Sequence, residues 1–489
     1  MKSLTPQKLS LPLGKILLAL CPLFLLASAS EAATDSWTGA ASSSWNGLNW
    51  TGGNNPPTTG DSLIFGTTAG SGTVLIDNLM TPSTFNVGGI TFAANAPAFT
   101  INPATAGVNG FTLTGNITNS STSLETINDA IVVAASRTIT MTAGGGNITL
   151  GGTISGAGGF TTAGTGILTI TGTNSYSGVT DIGVSTGTLA IGSNGALGTS
   201  LFEFAVANST VEAVGGTPIT IANTGSNVNN NFTITGTTGL TLSGSYFWGG
   251  SNVLTVNNTQ LTTFANTTVI RIQSASTRTV TYQGTGNILI SGSIVDGLAG
   301  ATGSVTYAGS GTFDLAGTNT YHGATAINSG VLVLDNSANN NASMANTVIT
   351  IGSTTSGTVQ IRGNYTVGAG VAGGSLTLAN TTTGPSLGNL VMSGGTNVLN
   401  LNSTTAAATV LTLNSGNSLT FGLGATSDEI VLGTGLKATV GTNNAVNIVG
   451  VGNLNGTTQT LISAGATSGS YSVGATSTSG SSVYLASIM

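Results

Sequence analysis

Hydrophobic and polar residues alternate in short stretches along most of the chain after residue 34. Four examples are ILTITG from Ile167, TLAIG from Thr188, NILISG from Asn287 and VLVLD from Val331. Runs with a period of two that end at turn residues predict β-strands. The same region has no sustained period of 3.6 with capping residues, and Glu, Lys and Gln are scarce. The sequence therefore predicts an all-β chain with almost no helix.

Two blocks of the chain resemble each other closely. SRTITMTAGGGNITLGGTISG from Ser136 aligns with TRTVTYQGTGNILISGSIVDG from Thr277, and a Gly-Thr-Asn segment follows in each block. The blocks cover residues 136–193 and 277–336, so a unit of about 60 residues recurs after about 140 residues. Self-similarity on this scale is typical of architectures in which each structural repeat stacks on the next.

Two all-β architectures are compatible with such repeats. We favour a right-handed parallel β-helix, in which aliphatic residues fill the bore, Gly and Asn occupy turns, and Thr and Asn side chains stack in ladders. Proline supports this choice, because only Pro218 and Pro385 follow Pro103, and proline cannot donate to a strand ladder. Coils of roughly 20 residues would give about 22 coils and a rod about 100 Å long. Tandem β-sandwich repeats are the alternative.

Charged residues make up only 4% of the 489 residues, with 8 basic and 14 acidic side chains and a net charge of -6. The mean hydropathy of +0.33 excludes a disordered chain, which needs low hydrophobicity and high net charge. The basic residues beyond residue 34 are dispersed, so the sequence excludes nucleic acid and anionic lipid as partners. They are Arg137, Arg271, Arg278, Arg362 and Lys437.

Residues 1–33 are typical of an export signal. Three lysines precede the apolar run ILLALCPLFLLA from Ile16, and small residues follow it. Cleavage is expected after Ala29 or at the end of the stretch that closes at Ala33. The one cysteine, Cys21, lies inside this signal, so the mature chain is expected to have no thiol and no transmembrane segment.

A Gly-Thr-Asn-x-Tyr-x-Gly segment closes the most similar part of the two blocks, GTGILTITGTNSYSG from Gly164 and GSGTFDLAGTNTYHG from Gly309. Both stretches closely resemble the autotransporter-associated β-strand repeat, a passenger-associated repeat. WTGAASSSWNGLNW from Trp37 also resembles the N-terminal region of large exported proteins with this repeat. The residues expected to form the structural repeat are Gly164, Gly166, Gly172, Asn174, Tyr176 and Gly178, with Gly309, Gly311, Gly317, Asn319, Tyr321 and Gly323 in the second copy.

The resemblance implies an exported passenger built as a β-helix, at the cell surface, associated with the outer membrane or extracellular. A C-terminal barrel translocator would show alternating strands with aromatic girdles. The last 120 residues contain Phe421, Tyr471 and Tyr484 as their only aromatic residues, so no translocator is expected there. The predicted organisation is an export signal at 1–33, a Trp-rich cap with the first coils at 34–110, the main β-helix at 111–400, and C-terminal coils at 401–489.

Catalytic candidates are sparse. Asp428 and Glu429 are the only adjacent acids of the mature chain, and neighbours along a strand point to opposite faces. The one histidine, His322, has no second imidazole or acidic run near it in sequence. We therefore predict no catalytic residue, no metal site, no cofactor and no enzymatic activity.

Trp37, Trp45 and Trp50 cluster within fourteen residues. Such a cluster suits a plug that covers the open end of a repeat fold, and it also suits a glycan contact. Tyr176 and Tyr321 are expected to pack inside the stack. The predicted function is a structural stalk or adhesin, with an extracellular glycan or another cell surface as partner. The alternatives are a glycan-binding module and a polysaccharide-active β-helix enzyme.

Overall fold

Short strands joined by turns make up the part of the chain that the structure describes. The structure is a computed structural model, and it describes residues 32–67, 72–142, 146–183, 187–228, 230–266, 268–270, 277–297, 302–338, 341–345, 347–352, 356–368, 370, 372–379, 388–392, 396–422, 428–441, 444–449, 461–463, 466–469 and 472–473. These residues form strands and no helix. Cys21 and the rest of the predicted export signal up to residue 31 lie outside the described residues.

The strands are mostly two to five residues long. The first half of the chain contains β1 Thr34–Trp37, β2 Trp50–Thr51, β3 Ser62–Phe65, β4 Val74–Asp77, β5 Asn86–Val87, β6 Gly89–Phe92, β7 Thr100–Pro103, β8 Gly110–Leu113, β9 Ile117–Asn119, β10 Glu125–Ile127, β11 Ala130–Val132, β12 Arg137–Met141, β13 Ile148–Leu150, β14 Ile154–Ser155, β15 Phe160–Gly164, β16 Ile167–Ile170, β17 Thr180–Asp181, β18 Thr188–Ile191, β19 Phe202–Glu203, β20 Ser209–Ala213, β21 Ile219–Ile221, β22 Gly225–Val228, β23 Phe232–Gly236, β24 Leu240–Leu242 and β25 Tyr246–Trp248.

The second half continues in the same manner, with one long strand, β39. It contains β26 Val253–Val256, β27 Thr262–Phe264, β28 Thr268–Ile270, β29 Thr277–Gln283, β30 Ile288–Ile290, β31 Ile294–Asp296, β32 Thr302–Tyr307, β33 Thr312–Leu315, β34 Thr318–Asn319, β35 Thr325–Ile327, β36 Gly330–Asn336, β37 Ser343–Met344, β38 Val348–Ile351, β39 Gly357–Val367, β40 Ser375–Leu378, β41 Gly388–Met392, β42 Val398–Leu401, β43 Thr409–Leu413, β44 Ser418–Gly422, β45 Glu429–Leu432, β46 Lys437–Val440, β47 Ala445–Val449, β48 Ile462–Ser463, β49 Ala466–Gly469 and β50 Ser472–Val473.

Each coil contributes strands to the faces of a parallel β-solenoid. Sheet A is β2-β1-β3-β6-β9-β12-β15-β17-β19-β22-β25-β28-β31. Sheet B is β4-β7-β10-β13-β16-β18-β20-β23-β26-β29-β32-β35-β38-β40-β43-β46-β49. Sheet C is β5-β8-β11-β14, sheet D is β21-β24-β27-β30-β33-β36-β39-β41-β44-β47-β50, and sheet E is β34-β37-β39-β42-β45-β48.

Every described pairing between these strands is parallel except that of β1 with β2. The all-β prediction and the parallel β-helix prediction are therefore confirmed. Sheet E follows sheet A along the solenoid, since β31 is the last strand of sheet A and β34 the first of sheet E. The long strand β39 turns a corner, because its first half pairs in sheet D and its second half in sheet E.

The coils are longer and less regular than the sequence suggested. Hydrogen-bonded residues of adjacent coils are 20 residues apart at Ile154 and Asn174. The separation grows to 25 residues at Asn287 and Thr312, and to 31 residues at Asn397 and Asp428. The prediction of roughly 20 residues per coil, and of about 22 coils, was wrong. Loops at the corners lengthen many coils without disturbing the strands.

Inward positions stack into aliphatic columns that fill the solenoid. One column of sheet B consists of Leu75, Ile101, Ile127, Leu150, Ile170 and Ile191, all of them buried. A single cluster of buried side chains extends from Trp37 to Val446. Burial of this apolar surface is the main force that holds the coils together.

Outward positions of sheet B carry a threonine ladder. Thr100, Thr126, Thr149 and Thr169 occupy one register position in four successive coils. The ladder returns further along the sheet, where Ala326 interrupts it once, at Thr306, Thr350, Thr377, Thr412 and Thr439. Neutral side chains can stack at a spacing of about 4.8 Å where like charges would repel. The predicted Thr ladder is thus present.

Candidate functional site

The two repeat copies lie on different faces of the solenoid. In the first copy, the strand before Gly172 is β16 of sheet B, whereas the equivalent strand before Gly317 is β33 of sheet D. The interval between the copies is therefore not a whole number of coils. The repeat shifts from one face to another while it keeps its local contacts.

Glycines of the repeat press against the backbone of the preceding coil. A Cβ atom at Gly172 would overlap the carbonyl oxygen of Gly152, and one at Gly317 would overlap that of Gly292. The same holds for the remaining repeat glycines, whose Cβ atoms would meet neighbouring atoms of the preceding coil or of their own; these are Gly164, Gly166, Gly178, Gly309, Gly311 and Gly323. Only glycine fits where the backbones of two coils approach so closely.

The repeat asparagines tie each turn to the coil before it. The Asn174 Oδ1 accepts the backbone N–H of Ile154 at 2.7 Å. The Asn319 Oδ1 accepts the backbone N–H of Ile294 at 2.9 Å. In both copies the asparagine thus satisfies a backbone donor that the sheet ladder leaves open at the corner.

The repeat tyrosines begin a buried chain of hydroxyl groups. Tyr176 bonds Thr180 at 2.8 Å, and Thr180 bonds Ser200 of the next coil at 2.9 Å. The second copy repeats the chain with Tyr321, Thr325 and Thr347, at 2.6 and 2.9 Å. Burial raises the pKa of Tyr176 to about 12, so its hydroxyl stays protonated. The tyrosines pack inside the stack.

The three clustered tryptophans lie in the first coils, where Trp37 of β1 and Trp50 of β2 face each other across the antiparallel pair. Trp37, Trp45 and Trp50 are only 3, 0 and 1% exposed. Trp50 meets both other indoles edge-on, and its ring N–H donates to the Trp45 carbonyl at 3.0 Å. Trp50 also contacts the Phe65 ring edge-on, so the indole rings pack on the end of the aromatic and aliphatic core and cover it as a cap does. The glycan contact at these residues stays a prediction.

Two carboxyl groups meet just outside this cap. The Asp35 Oδ1 accepts the backbone N–H groups of Gly53 and Asn54. The Asp61 Oδ1 accepts the Ala33 N–H at 2.8 Å. Burial raises the pKa of Asp35 to about 6, and the nearby Asp61 carboxylate adds to the rise. Burial acts against the charge of Asp61 as well, but hydrogen bonds led by the Ala33 N–H outweigh it and lower the pKa of Asp61.

A second pair, Asp77 and Asp129, lies two coils apart and is fully buried. The Asp77 Oδ1 accepts the N–H groups of Leu79 and Met80. Neither oxygen of Asp129 has a hydrogen-bond partner among the described residues. Burial raises the pKa of Asp129 to about 8, with a further contribution from the Asp77 charge. Asp129 is thus held as a neutral acid over most of the pH range.

The structure brings His322 to an acid that sequence reasoning missed. The His322 Nδ1 lies 2.7 Å from the Asp296 Oδ2, which also accepts the His322 backbone N–H. Asp296 precedes His322 by 26 residues, close to one coil. Asp35 and Asp61 are separated by the same interval. The coil length is therefore the signal that would have found both pairs.

One cation crosses the outward face of sheet D. The Arg362 Nη1 lies 3.5 Å from Asp314 and 3.4 Å from Asp335. Val333 lies on β36, between β33 with Asp314 and β39 with Arg362. It is fully buried although it occupies an outward position. The half-exposed position of the guanidinium limits the strength of these ion pairs.

The predicted opposite orientation of Asp428 and Glu429 is present. Asp428 is buried and accepts the backbone N–H groups of Asn397 and Gly422, whereas Glu429 is partly exposed on β45. Within the described ranges, no group of three or more Asp, Glu, His or Cys side chains could hold a metal ion. In the same ranges, no helix is long and apolar enough to cross a membrane.

Comparison with known proteins places the repeats in a family. The model of the passenger-associated-transport-repeat matches residues 160–191 and 305–334, which contain the two motif copies. No curated protein and no solved structure matches the chain. The predicted resemblance to the autotransporter-associated repeat is confirmed by these two matches. The chain is a parallel β-solenoid that carries two passenger-associated transport repeats.

Proposed function

We propose that the protein is an exported, non-enzymatic β-solenoid that serves as a structural stalk or adhesin at the cell surface, on the outer membrane or outside the cell. Its repeats match a passenger-associated family model, which supports export. Its long parallel ladder supports a role that depends on length and stiffness, since every inner strand of sheet B pairs on both sides.

The main support is the use that the chain makes of its repeat residues. The glycines allow close approach of coils, the asparagines satisfy corner amides, and the tyrosines join coils through hydroxyl chains. None of these roles needs a ligand. Residues repeated for a packing purpose favour a structural function over a catalytic one.

The carboxyl groups support the same proposal. Glu125 accepts the Phe99 N–H, and Asp181 accepts the Ala205 N–H, each in a neighbouring coil. Asp428 does the same for Asn397. Carboxylates that bond backbone donors of adjacent coils are already engaged, whereas an acid–base pair must face a common substrate.

An extracellular glycan or another cell surface is the partner that we propose, with no nucleic acid. The basic residues of the solenoid are dispersed, and Arg362 is paired with acids, so the surface offers phosphate groups no continuous positive track. Uncharged threonine ladders offer hydroxyl groups instead.

The test combines location, adhesion and catalysis. We expect antibody against the solenoid to label intact producing cells or their medium, and deletion of the gene to reduce attachment to surfaces. The purified chain should leave polysaccharides intact with calcium and without it. Release of sugar products would overturn the non-enzymatic proposal, and a protein confined to the cell interior would overturn export.

A glycan array tests the tryptophan prediction separately. Variants with Phe in place of Trp37, Trp45 or Trp50 keep an aromatic core, so they are better suited than Ala to a buried cluster. Loss of a glycan signal in these folded variants would place the contact there. A signal that persists in all three would place it elsewhere.

A further inference from the structure

We propose that the export signal is cut between Ala32 and Ala33, and that the α-ammonium group so formed binds the Asp61 carboxylate and locks the cap. The proposal rests on the export proposed above. The step is hydrolysis by a signal peptidase: water adds across the Ala32–Ala33 peptide bond, Ala32 leaves as a carboxylate, and the Ala33 nitrogen becomes an amine that takes up a proton.

Ala33 is already anchored on both sides of its backbone. Its N–H donates to the Asp61 Oδ1 at 2.8 Å, and its carbonyl accepts the Ser62 N–H at 2.9 Å. A Cβ atom at Gly53 would overlap the Ala33 side chain, so the chain at Ala33 is tightly packed. Ala32 is exposed. The residue that would carry the new terminus is thus held by the cap through its backbone and its side chain.

The first coils contain buried acids and no basic side chain. Between Lys15 and Arg137 the sequence contains no Lys, Arg or His. The same stretch contains five fully or almost fully buried acids, which are Asp35, Asp61, Asp77, Glu125 and Asp129. A free Ala33 terminus would be the only positive charge that this stretch supplies to itself.

An ammonium group would bring more donors to this place than the amide does. An amide has one N–H, whereas an ammonium has three, and Asp61 lies in contact with Asp35, whose Oδ2 is buried without a partner among the described residues. An α-amino group with an ordinary pKa of about 7.7–8.0 is mostly protonated at pH 7. The ammonium would add a positive charge to a contact in which only the Asp61 carboxylate is charged, so the hydrogen bond would become an ion pair.

The residues before the bond suit a signal peptidase. Cleavage after Ala32 places Ser30 and Ala32 at the two positions that require small side chains. Cleavage after Ala29 would meet the same requirement, but it would add the acid Glu31 to a stretch that has no basic side chain. Cleavage after Ala33 would remove the nitrogen that bonds Asp61.

N-terminal sequencing of the exported chain tests the cut. We expect Ala33 as the first residue. Ser30 or Thr34 as the first residue would overturn the proposal while leaving export intact. An uncleaved chain in the exported fraction would also overturn the proposal, whereas absence of the chain from that fraction would overturn the export on which the proposal rests.

Hydrogen exchange tests the ammonium contact. We compare the mature chain that starts at Ala33 with the same chain acetylated at its α-amine, and measure exchange of the amides in residues 33–65. The free amine should slow exchange by about fivefold, because its charge adds an ion pair to a hydrogen bond that the acetylated chain keeps. Equal rates would overturn the contact.

A charge variant supplies the matched control. Asp61→Asn keeps an oxygen for the Ala33 nitrogen and removes the charge, so it should abolish the difference between free and acetylated chains. Asp181→Asn alters another acid that accepts a backbone N–H, far from the terminus, and should leave the difference unchanged. A difference that survives Asp61→Asn would overturn the proposal.

Discussion

The first coils and the repeat copies hold their backbones together in different ways. The first coils contain acids without a basic side chain, and aromatic rings close their end. Both repeat copies use glycine contacts and hydroxyl chains, and the acids of the second copy, Asp296, Asp314 and Asp335, have His322 or Arg362 beside them. The comparison indicates that an end coil needs aromatic side chains over its core and backbone N–H donors for its acids. An inner coil instead needs glycines that let its backbone approach the coils on both sides.

Among the changes considered, removal of an aromatic ring from the cap should lower the free energy of unfolding the most. Trp50→Ala is expected to cost about 3–5 kcal/mol of unfolding free energy, because a buried aromatic side chain leaves a cavity. Urea unfolding followed by tryptophan fluorescence reports the cap, which contains three of the four tryptophans. Leu48→Ala, at a residue 69% exposed, is the control and should change little. Equal effects would contradict the plug.

Replacement of a repeat glycine by alanine should destabilise the inner coils. Gly172→Ala and Gly317→Ala are each expected to cost about 1–3 kcal/mol, since the new Cβ overlaps a carbonyl oxygen of the coil below. Thermal unfolding measures the loss. Gly66→Ala, whose Cβ would have only an ordinary contact with Asn95, should be nearly neutral. A much smaller cost in one copy would show that the two faces differ.

The neutral acid of the first coils should make them sensitive to pH. The folded state raises the pKa of Asp129 from 3.8 to about 8, so its proton is bound more tightly in the folded chain. Stability is then fully present below pH 4 and falls as pH rises toward 8, by roughly 1.4 kcal/mol per pH unit. Urea unfolding between pH 4 and 9 measures the slope.

Asp129→Asn should flatten the slope between about pH 6 and 8, whereas the slope below pH 6 should largely remain, because burial also raises the pKa values of Asp35, Asp77 and Asp314 to about 6. Asp77→Asn removes the neighbouring charge and should move the Asp129 transition to lower pH. An unchanged slope in Asp129→Asn would show that this carboxyl does not titrate in the folded coils.

Removal of a hydroxyl group from the buried chain should have the smallest effect on the free energy of unfolding. Tyr176→Phe is expected to cost about 1 kcal/mol, because the Thr180 hydroxyl loses a partner. Tyr282→Phe removes a buried hydroxyl that has no partner among the described residues, and it should be neutral or slightly stabilising. Thermal unfolding compares the two. A larger loss for Tyr282→Phe would reveal a partner for that hydroxyl.

Much of the fold could be predicted from alternation and glycine spacing, because both follow from local geometry. The period of two identified the strands around Ile167 and Val331, and the scarcity of proline favoured a continuous ladder. The length of the coils could not be predicted, because corner loops vary without disturbing the strands. The Asp35–Asp61 and Asp296–His322 pairs depend on that length, so neither could be found before the register was known.

The shift of the repeat from sheet B to sheet D has an evolutionary consequence. A duplicated segment need not match a whole number of coils, because its glycines and asparagines recognise only the backbone directly beneath them. Insertions of many lengths can then enter such a gene without a change of fold. A solenoid of this kind can lengthen by duplication of a gene segment. The length of the added segment then determines on which face of the solenoid its motif lies.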